Sequence, residues 1–292
     1  MHRYVLHNRE IRDAHEKLLS PGQVGFLNGW GVFSTMRVSQ GALFAFERHL
    51  ARMRHDAQLM RVPFDFEPDQ LNALLLSLVE ANEAFDAVLR VVVIRNRGGL
   101  FEVPDQDRSF DLIAFTAELT QWGTGVNLTY VPNARLGTSP FAGTKVTSWA
   151  QNLTWYEEAR QRGFDEAILL NECGEISECT SANIFIIQGK DVWTPPLASS
   201  GCLPGVTRAI LLEKVRVPGV SIRERVLTPS ELESANAVFI TSTTRDLLPV
   251  FSVDGLSLNQ ELDTLKLLSE AFAAHRTAYF ESVAARQSLV SS

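Results

Sequence analysis

The sequence predicts an α+β protein built from two domains. Its length of 292 residues is typical of two domains or of one large one. The first part of the chain mixes strand and helix patterns, whereas the part after residue 125 consists mainly of short apolar runs that predict strands. With 45% hydrophobic and 21% charged residues, the composition is that of a globular chain and argues against disordered or collagen-like classes.

The elements of the first part follow from residue spacing. Leu50, Met53, Ala57 and Met60 recur at helical intervals and predict a helix with one apolar face. Strand patterns come before and after it, which together indicate an α+β layer. In chain order, the predicted elements are a strand at 3–8, a hairpin of 31–38 and 42–46, the helix around 50–60, a helix at 68–85 and strands at 88–94 and 111–117.

A polar, glycine-containing segment at 120–125 is the predicted linker, and it separates an amino-terminal domain, 1–119, from a carboxy-terminal domain, 126–292. In the second domain, residues 171–174 predict a hairpin turn. The remaining predicted elements are strands at 126–131, 166–170, 183–187, 192–194 and 237–241 and helices at 148–162, 206–214 and 261–281.

Charge and cysteine content narrow the class of partner. The formal net charge of -7 argues against a nucleic-acid binder, because phosphate backbones are bound by basic surfaces. Three cysteines without CxxC spacing predict neither a disulfide framework nor a zinc site, and His49 and His55 have no third ligand nearby. No apolar run is long enough to span a membrane, so we expect a cytoplasmic protein that acts on small molecules.

Lys145 is the first candidate catalytic residue. The chain has five lysines, and this one lies in Phe141-Ala-Gly-Thr-Lys-Val-Thr-Ser-Trp149, a stretch of small residues without another charge. A lysine amine in a partly desolvated pocket loses its proton more easily and can form a Schiff base with an aldehyde. On this segment alone, an exposed loop lysine is the favoured interpretation, and the motifs that follow change it.

The motifs after Lys145 form a long ordered pattern. They are Asp165-Glu-Ala-Ile-Leu-Leu170, Gly174-Glu-Ile-Ser-Glu178, Ala182-Asn-Ile-Phe185, Thr194-Pro-Pro196 and Leu203-Pro-Gly-Val-Thr-Arg208. Gly31-Val-Phe-Ser-Thr-Met-Arg37 and Phe46-Glu-Arg-His-Leu-Ala-Arg52 precede it. Together they resemble the signature of the class IV, or fold type IV, pyridoxal-phosphate aminotransferases, a family with a small amino-terminal domain and a carboxy-terminal pseudo-barrel.

This resemblance implies pyridoxal 5′-phosphate as cofactor. Lys145 would bind it covalently and carry the proton between the substrate Cα and C4′ of the cofactor, and Glu178 would face the pyridine nitrogen and keep it protonated. The phosphate would be bound by Arg52 and, at a helix amino terminus, by Val206 and Thr207. The same resemblance assigns a further cofactor contact to Thr243. The polar residues that other members carry after the lysine are replaced by Ser148 and Ala150, so the group that holds the ring oxygen of the cofactor is not assigned.

The substrate residues are less specific. Ala87-Val-Leu-Arg90 resembles the segment whose arginine helps bind the substrate carboxylate in branched-chain aminotransferases. The same resemblance assigns Phe33, Arg37 and Thr244 to the substrate. Ser34-Thr35-Met36-Arg37 is closer to the aminodeoxychorismate lyases, whereas residues 194–205 are very close to the branched-chain aminotransferases.

Three functions remain open on the sequence. We predict an aminotransferase that moves an amino group from an aliphatic L-amino acid to 2-oxoglutarate by a ping-pong mechanism. The second is a 4-amino-4-deoxychorismate lyase that releases pyruvate and 4-aminobenzoate, and the third is a binding protein without cofactor. The donor stereochemistry is not determined. Family resemblance also predicts a homodimer, with amino acids and 2-oxo acids as substrates.

Overall fold

Helix and strand are nearly balanced in the computed structural model, at 30% and 32%, and this confirms the predicted α+β class. The structure describes residues 1–100 and 107–290, with side chains up to residue 285. The backbone divides into two units. The first comprises Met1–Thr120, Thr144–Trp149 and the chain from Ser282 onward, and the second comprises Gln121–Gly143 and Ala150–Glu281.

The first unit is an antiparallel sheet with two long helices. Pro68 begins the second of these helices, where its fixed φ and missing N–H cost nothing. The elements are β1 Tyr4–His7, β2 Glu10–Asp13, α1 Val24–Asn28, β3 Gly31–Ser39, β4 Ala42–Leu43, α2 Phe46–Leu59, α3 Pro68–Ala81, β5 Asp86–Arg95 and β6 Phe110–Ala117. Six strands pair in the order β2-β1-β6-β5-β3-β4.

Strand β3 shows how this sheet separates two environments. Val32, Met36 and Val38 pack into the core formed with the apolar faces of α2 and α3, because side chains alternate along a strand. Phe33 and Arg37 therefore lie on the opposite face. The candidate substrate residues of β3 are thus on the face that the helices do not cover.

A buried carboxylate in this unit accepts hydrogen bonds from several segments. Asp111 is fully buried and accepts from Asn96 Nδ2 at 2.9 Å and Asn8 Nδ2 at 2.6 Å. It also contacts His7 Nε2 at 2.9 Å and accepts from Gln23. Burial raises the pKa of this carboxyl, but the hydrogen bonds from His7, Asn8 and Asn96 outweigh burial and lower the pKa to about 2.

The second unit is a mixed sheet with shorter helices. Its elements are β7 Val126–Arg135, α4 Ala150–Gln161, β8 Glu166–Asn171, β9 Ile176–Cys179, β10 Asn183–Gln188, β11 Asp191–Thr194, α5 Leu197–Ser200, α6 Val206–Glu213, β12 Ser221–Glu224, α7 Pro229–Glu233, β13 Ala237–Ser242, β14 Asp246–Val253, β15 Leu256–Ser257 and α8 Asp263–Val290. The last of these helices runs beyond Glu281 into the part of the chain assigned to the first unit.

Nine strands make up this sheet, in the order β12-β11-β10-β13-β14-β7-β8-β9, with β15 paired to β14. The pairs β7–β8, β7–β14 and β11–β12 are parallel, and the others are antiparallel. The sheet curls into a half-barrel, which agrees with the predicted pseudo-barrel. Its centre includes Phe185 and Phe239, whose rings stack at 4.9 Å.

The predicted turn at residues 171–174 forms, but its second strand is β9, which the sequence pattern had not indicated. Asn171 Oδ1 accepts from the backbone N–H groups of Cys173 and Glu175, and Gly174 adopts a positive φ of 75°. The strands β2 and β12 were also missed. Both are largely exposed, so they lack the apolar alternation by which strands are recognised.

Candidate functional site

The segment that carries Lys145 is fixed by its backbone to β3. Phe33 N donates to Lys145 O at 3.0 Å, and Thr147 N donates to Gly31 O at 2.9 Å. On the other side, Lys145 N donates to Asp56 Oδ2 at 3.2 Å. A Cβ at Gly31 would lie 2.5 Å from the carbonyl oxygen of a neighbouring strand, so only glycine permits this close approach. The lysine backbone is therefore rigidly placed.

The amine of Lys145 lies against two aromatic rings. Its Nζ is 4.5 Å from the centroid of Phe33 and 5.7 Å from that of Trp149. The two rings meet edge to face, with centroids 5.9 Å apart. Aromatic faces attract a cation and also exclude water. The predicted catalytic amine is thus half-buried beside apolar walls and not on a solvated loop.

Phe33 also brings Arg90 close to this amine. Thr35 and Arg90 are direct partners across β3 and β5, and Arg90 Nε donates to Thr35 Oγ1 at 3.2 Å. The Arg90 guanidinium lies 4.9 Å from the Phe33 ring, and its burial lowers the pKa of Arg90. Arg37, two positions along β3 from Thr35, lies on the same face. Three of the four predicted substrate residues, Phe33, Arg37 and Arg90, therefore lie on one face of the sheet.

Arg52, the predicted phosphate residue of α2, makes a buried contact with β3. Its Nη2 donates to Ser34 Oγ at 2.9 Å, and Ser34 Oγ lies 2.8 Å from His49 Nδ1. Ser34 and His49 are 0% and 1% exposed. No sequence pattern connects these three residues, because strand and helix periodicity do not show which side chains meet.

In the second unit, Glu178 is held by two donors. Arg135 Nε donates to Glu178 Oε1 at 3.2 Å, and Leu203 N donates to Glu178 Oε2 at 3.0 Å. Arg135 is itself held by Asn152 Oδ1 at 3.2 Å and packs over the ring of Trp155. One donor is a charged guanidinium and the other a backbone N–H, so both carboxylate oxygens have a hydrogen-bond partner. Arg135 is a site residue that the sequence analysis missed.

Residues 203–205 connect Glu178 with the start of α6. Asn183 Nδ2 donates to Leu203 O at 2.9 Å, while Gly205 is the amino-terminal cap of the helix. A Cβ at Gly205 would clash with Asn183 Oδ1, so the Asn183 side chain would have to shift to admit any other residue. Val206 and Thr207 form the buried first turn, whose backbone N–H groups favour an anion.

Thr243 and Thr244 lie in the turn between β13 and β14. Among the described residues, neither shares a hydrogen bond with Glu178 or with the first turn of α6. The turn is fixed by Arg245, which sequence analysis did not single out. Arg245 is buried, ion-pairs with Glu166 at 3.1 Å and stacks 3.9 Å from the Trp122 ring. No motif predicts such a buried pair across 79 residues of sequence.

The sequence left open which group would contact the ring oxygen of the cofactor. Ser148 and Ala150 are both exposed, and Ala150 has no side-chain polar atom, so the partner of the cofactor ring oxygen stays unassigned.

Within the described part of the chain, every helix is too short or too polar to cross a lipid bilayer.

Comparisons with known proteins agree with the family resemblance of the sequence motifs. The family model described as amino-transferase class IV matches residues 31–253. A putative branched-chain-amino-acid aminotransferase of Methanocaldococcus jannaschii is 28% identical over 277 residues, 93% of this chain and 96% of that protein. Branched-chain amino acid aminotransferase from Escherichia coli superposes with a TM-score of 0.82 at 24% identity, covering 91% of this chain and 92% of that one. A putative 4-amino-4-deoxychorismate lyase from Legionella pneumophila gives 0.80 at 24% identity, with coverage of 90% and 99%. These structural neighbours confirm the predicted fold type IV architecture.

Proposed function

Because the chain belongs to the class IV aminotransferases, we propose that it moves an amino group from an aliphatic, branched-chain L-amino acid to 2-oxoglutarate in a ping-pong cycle. The observation that carries this proposal is the placement of Lys145, whose backbone is fixed to β3 and whose amine lies 4.5 Å from the Phe33 ring. A partly desolvated, oriented amine is what covalent binding of an aldehyde cofactor needs.

The residues fit pyridoxal 5′-phosphate by their chemistry. They include the amine of Lys145, the guanidinium of Arg52, the carboxylate of Glu178 and the first turn of α6 at Val206 and Thr207. Thr243 adds a hydroxyl. When bound, this cofactor supplies an electron sink for the carbanion at the substrate Cα. Glu178, held by two donors, would keep the proton on the pyridine nitrogen.

Lys145 would carry the proton at the substrate Cα. Its amine is a base only when uncharged, and the aromatic walls limit its solvation. Arg90 and Arg37 would bind the substrate carboxylate, because guanidinium and carboxylate pair with complementary geometry. Phe33 would cover the aliphatic side chain of the donor, and Thr244 would add a polar contact to the substrate.

The branched-chain assignment is supported by the sequence of residues 194–205 and by the relative from Methanocaldococcus jannaschii. The alternative is a 4-amino-4-deoxychorismate lyase, which the motif Ser34-Thr35-Met36-Arg37 favours. Both functions use Lys145, so they differ in product and not in the residue that starts the reaction. The lyase would release pyruvate without any amino acceptor.

The test is the visible absorption spectrum of the purified protein, recorded with L-leucine, D-alanine and aminodeoxychorismate in separate cuvettes. We expect L-leucine to bleach the band of the lysine-bound cofactor, and 2-oxoglutarate to restore it with formation of glutamate. Lys145→Ala should abolish the band, whereas Lys190→Ala, at an exposed position, should not. Pyruvate released from aminodeoxychorismate without bleaching would instead support the lyase. A protein that gains no band with added cofactor would refute both functions.

Three other properties stay predictions. We propose a homodimer in the cytoplasm, by resemblance to the family, and domains at 1–119 and 126–292 joined by 120–125. Light scattering measures the mass against 32.5 kDa for one chain, and cell fractionation tests the location. Limited proteolysis should cut first at 120–125 if these residues form an exposed linker.

A further inference from the structure

A buried polar chain of three residues lies between β3 and α2. Arg52 Nη2, Ser34 Oγ and His49 Nδ1 follow one another at 2.9 Å and 2.8 Å. Ser34 and His49 are almost fully buried. The proposed function uses Arg52 to bind phosphate but gives no role to the other two residues.

The direction of these hydrogen bonds follows from the chemistry of the groups. A guanidinium has only donors, so Ser34 Oγ must accept from Arg52. The single hydroxyl proton of Ser34 then points to His49 Nδ1, which accepts it when the imidazole is neutral and carries its proton on Nε2. Within the described residues, His49 Nε2 has no hydrogen-bond partner.

His49 is held in the neutral form. Burial lowers the pKa of His49 well below its ordinary value, and the positive charges of Arg52 and Lys145 lower it further. A neutral imidazole can accept from Ser34 around neutral pH, where Arg52 is charged. The pair of Ser34 and His49 also adds no negative charge next to the guanidinium.

We propose that His49 is a positioning residue for the phosphate anchor Arg52. By accepting the Ser34 proton, His49 fixes the Ser34 lone pair towards Arg52 and so sets the direction of the guanidinium. A carboxylate could orient the same guanidinium, but it would also compete with the bound phosphate for the positive charge. This inference rests on the proposed function, in which Arg52 binds the phosphate of the cofactor.

The test compares two ligands that differ only in the phosphate. Dissociation constants of pyridoxal 5′-phosphate and pyridoxal are measured on the full-length chain, stripped of cofactor, by the visible band. The wild type should prefer the phosphorylated ligand, and Arg52→Met should abolish that preference. His49→Leu should lower the preference about tenfold, equivalent to about 1.4 kcal/mol, which is within the range for one lost hydrogen bond, with little change for pyridoxal.

Three controls separate positioning from general damage. His49→Asn keeps a polar group close to Nδ1 and should retain the preference within about threefold. His15→Leu, at an exposed position, should change nothing. In the Arg52→Met background, His49→Leu should have no further effect on the preference, because the guanidinium that His49 positions through Ser34 is already absent.

The outcomes are distinguishable. If Arg52→Met abolishes the preference while His49→Leu leaves it unchanged or weakens both ligands equally, the positioning role of His49 is wrong and the proposed function stands. If the wild type binds neither ligand, or if Arg52→Met leaves the preference intact, the proposed phosphate site itself is wrong. Should His49→Leu fail to fold, Ser34→Ala removes both hydrogen bonds of the three-residue chain with a smaller change in volume. It should lower the same ratio at least as much, and an unchanged ratio would contradict the proposal.

Discussion

The ion pair between Arg135 and Glu178 gives the sharpest energetic prediction. Glu178 accepts from Arg135 Nε at 3.2 Å and from Leu203 N at 3.0 Å. Replacing Arg135 with leucine leaves the carboxylate with the backbone donor alone. Under the proposed function, the Glu178 carboxylate would face the pyridine nitrogen of the cofactor, so this arginine is expected to matter for both stability and cofactor binding.

The magnitude follows from distance and exposure. Two unit charges 3.2 Å apart interact by about 5 kcal/mol at an effective dielectric constant of about 20. The side chains are 18% and 11% exposed, so solvent screens part of this attraction. Hydrogen bonds to charged groups contribute about 1.5–3 kcal/mol, and a stranded buried charge adds to the loss. We expect Arg135→Leu to lower the unfolding free energy by about 3 kcal/mol.

The assay is urea unfolding of Arg135→Leu, Glu178→Gln and the double variant, which form a double-mutant cycle. The coupling energy should be about 2 kcal/mol. Arg223→Leu is the matched control, because Arg223 also packs over a tryptophan ring, at 5.4 Å, but is 64% exposed. It should cost less than about 0.5 kcal/mol. If Arg135→Leu costs as much in the Glu178→Gln background as in the wild type, the ion pair contributes nothing and the reasoning fails.

Three further predictions concern acid stability, thiol reactivity and packing. Asp111 has a folded pKa of about 2, below its unfolded value, so its contribution of about 2 kcal/mol is complete above pH about 4 and lost as the pH falls towards 2. Asp111→Asn should remove this acid-dependent part of an unfolding titration, and an unchanged profile would contradict it. With a thiol reagent, Cys173 should react at once, whereas Cys179 and Cys202 are buried. Burial raises the pKa of both, that of Cys202 to about 11, so two rapidly reacting thiols in the native protein would be the wrong result. Phe185→Ala should cost about 3–5 kcal/mol in thermal unfolding, because its stacked ring is fully buried; a loss below about 1 kcal/mol would refute this estimate.

Periodicity predicted the long elements of the fold well. Helices α2 and α3 and strands β3 and β5 have clear apolar spacing and occur close to the expected positions. Strand pairing could not be predicted from the sequence. Val126, for example, lies opposite Val250 in a parallel pair, and no local pattern encodes a contact between positions so distant in sequence. Short exposed strands such as β2 were missed for lack of a pattern.

In the candidate site, too, the sequence indicated some of the residues but not the contacts that hold them. Motif order singled out Lys145 and Glu178; under the proposed function, the chemistry of an aldehyde cofactor restricts residue type at these positions. The residues that hold them in place, Arg135 for Glu178 and Asp56 for the Lys145 backbone, were assigned no role by the motifs. Any polar side chain of suitable length could do this work, so the sequence carries little information about which one does.

The arrangement around Phe33 bears on how one site could accept two unlike substrates. A branched-chain donor and 2-oxoglutarate share a carboxylate next to the reacting carbon but differ in the rest of the molecule. The Phe33 ring has the Lys145 amine at 4.5 Å and the Arg90 guanidinium at 4.9 Å, while Trp149 adds a second apolar wall. Under the proposed function, the rings would bury an aliphatic side chain, and the arginines on the same face, Arg90 and Arg37, would bind carboxylates. Because the same ring contacts both cations, replacing Phe33 is expected to change recognition of donor and acceptor together.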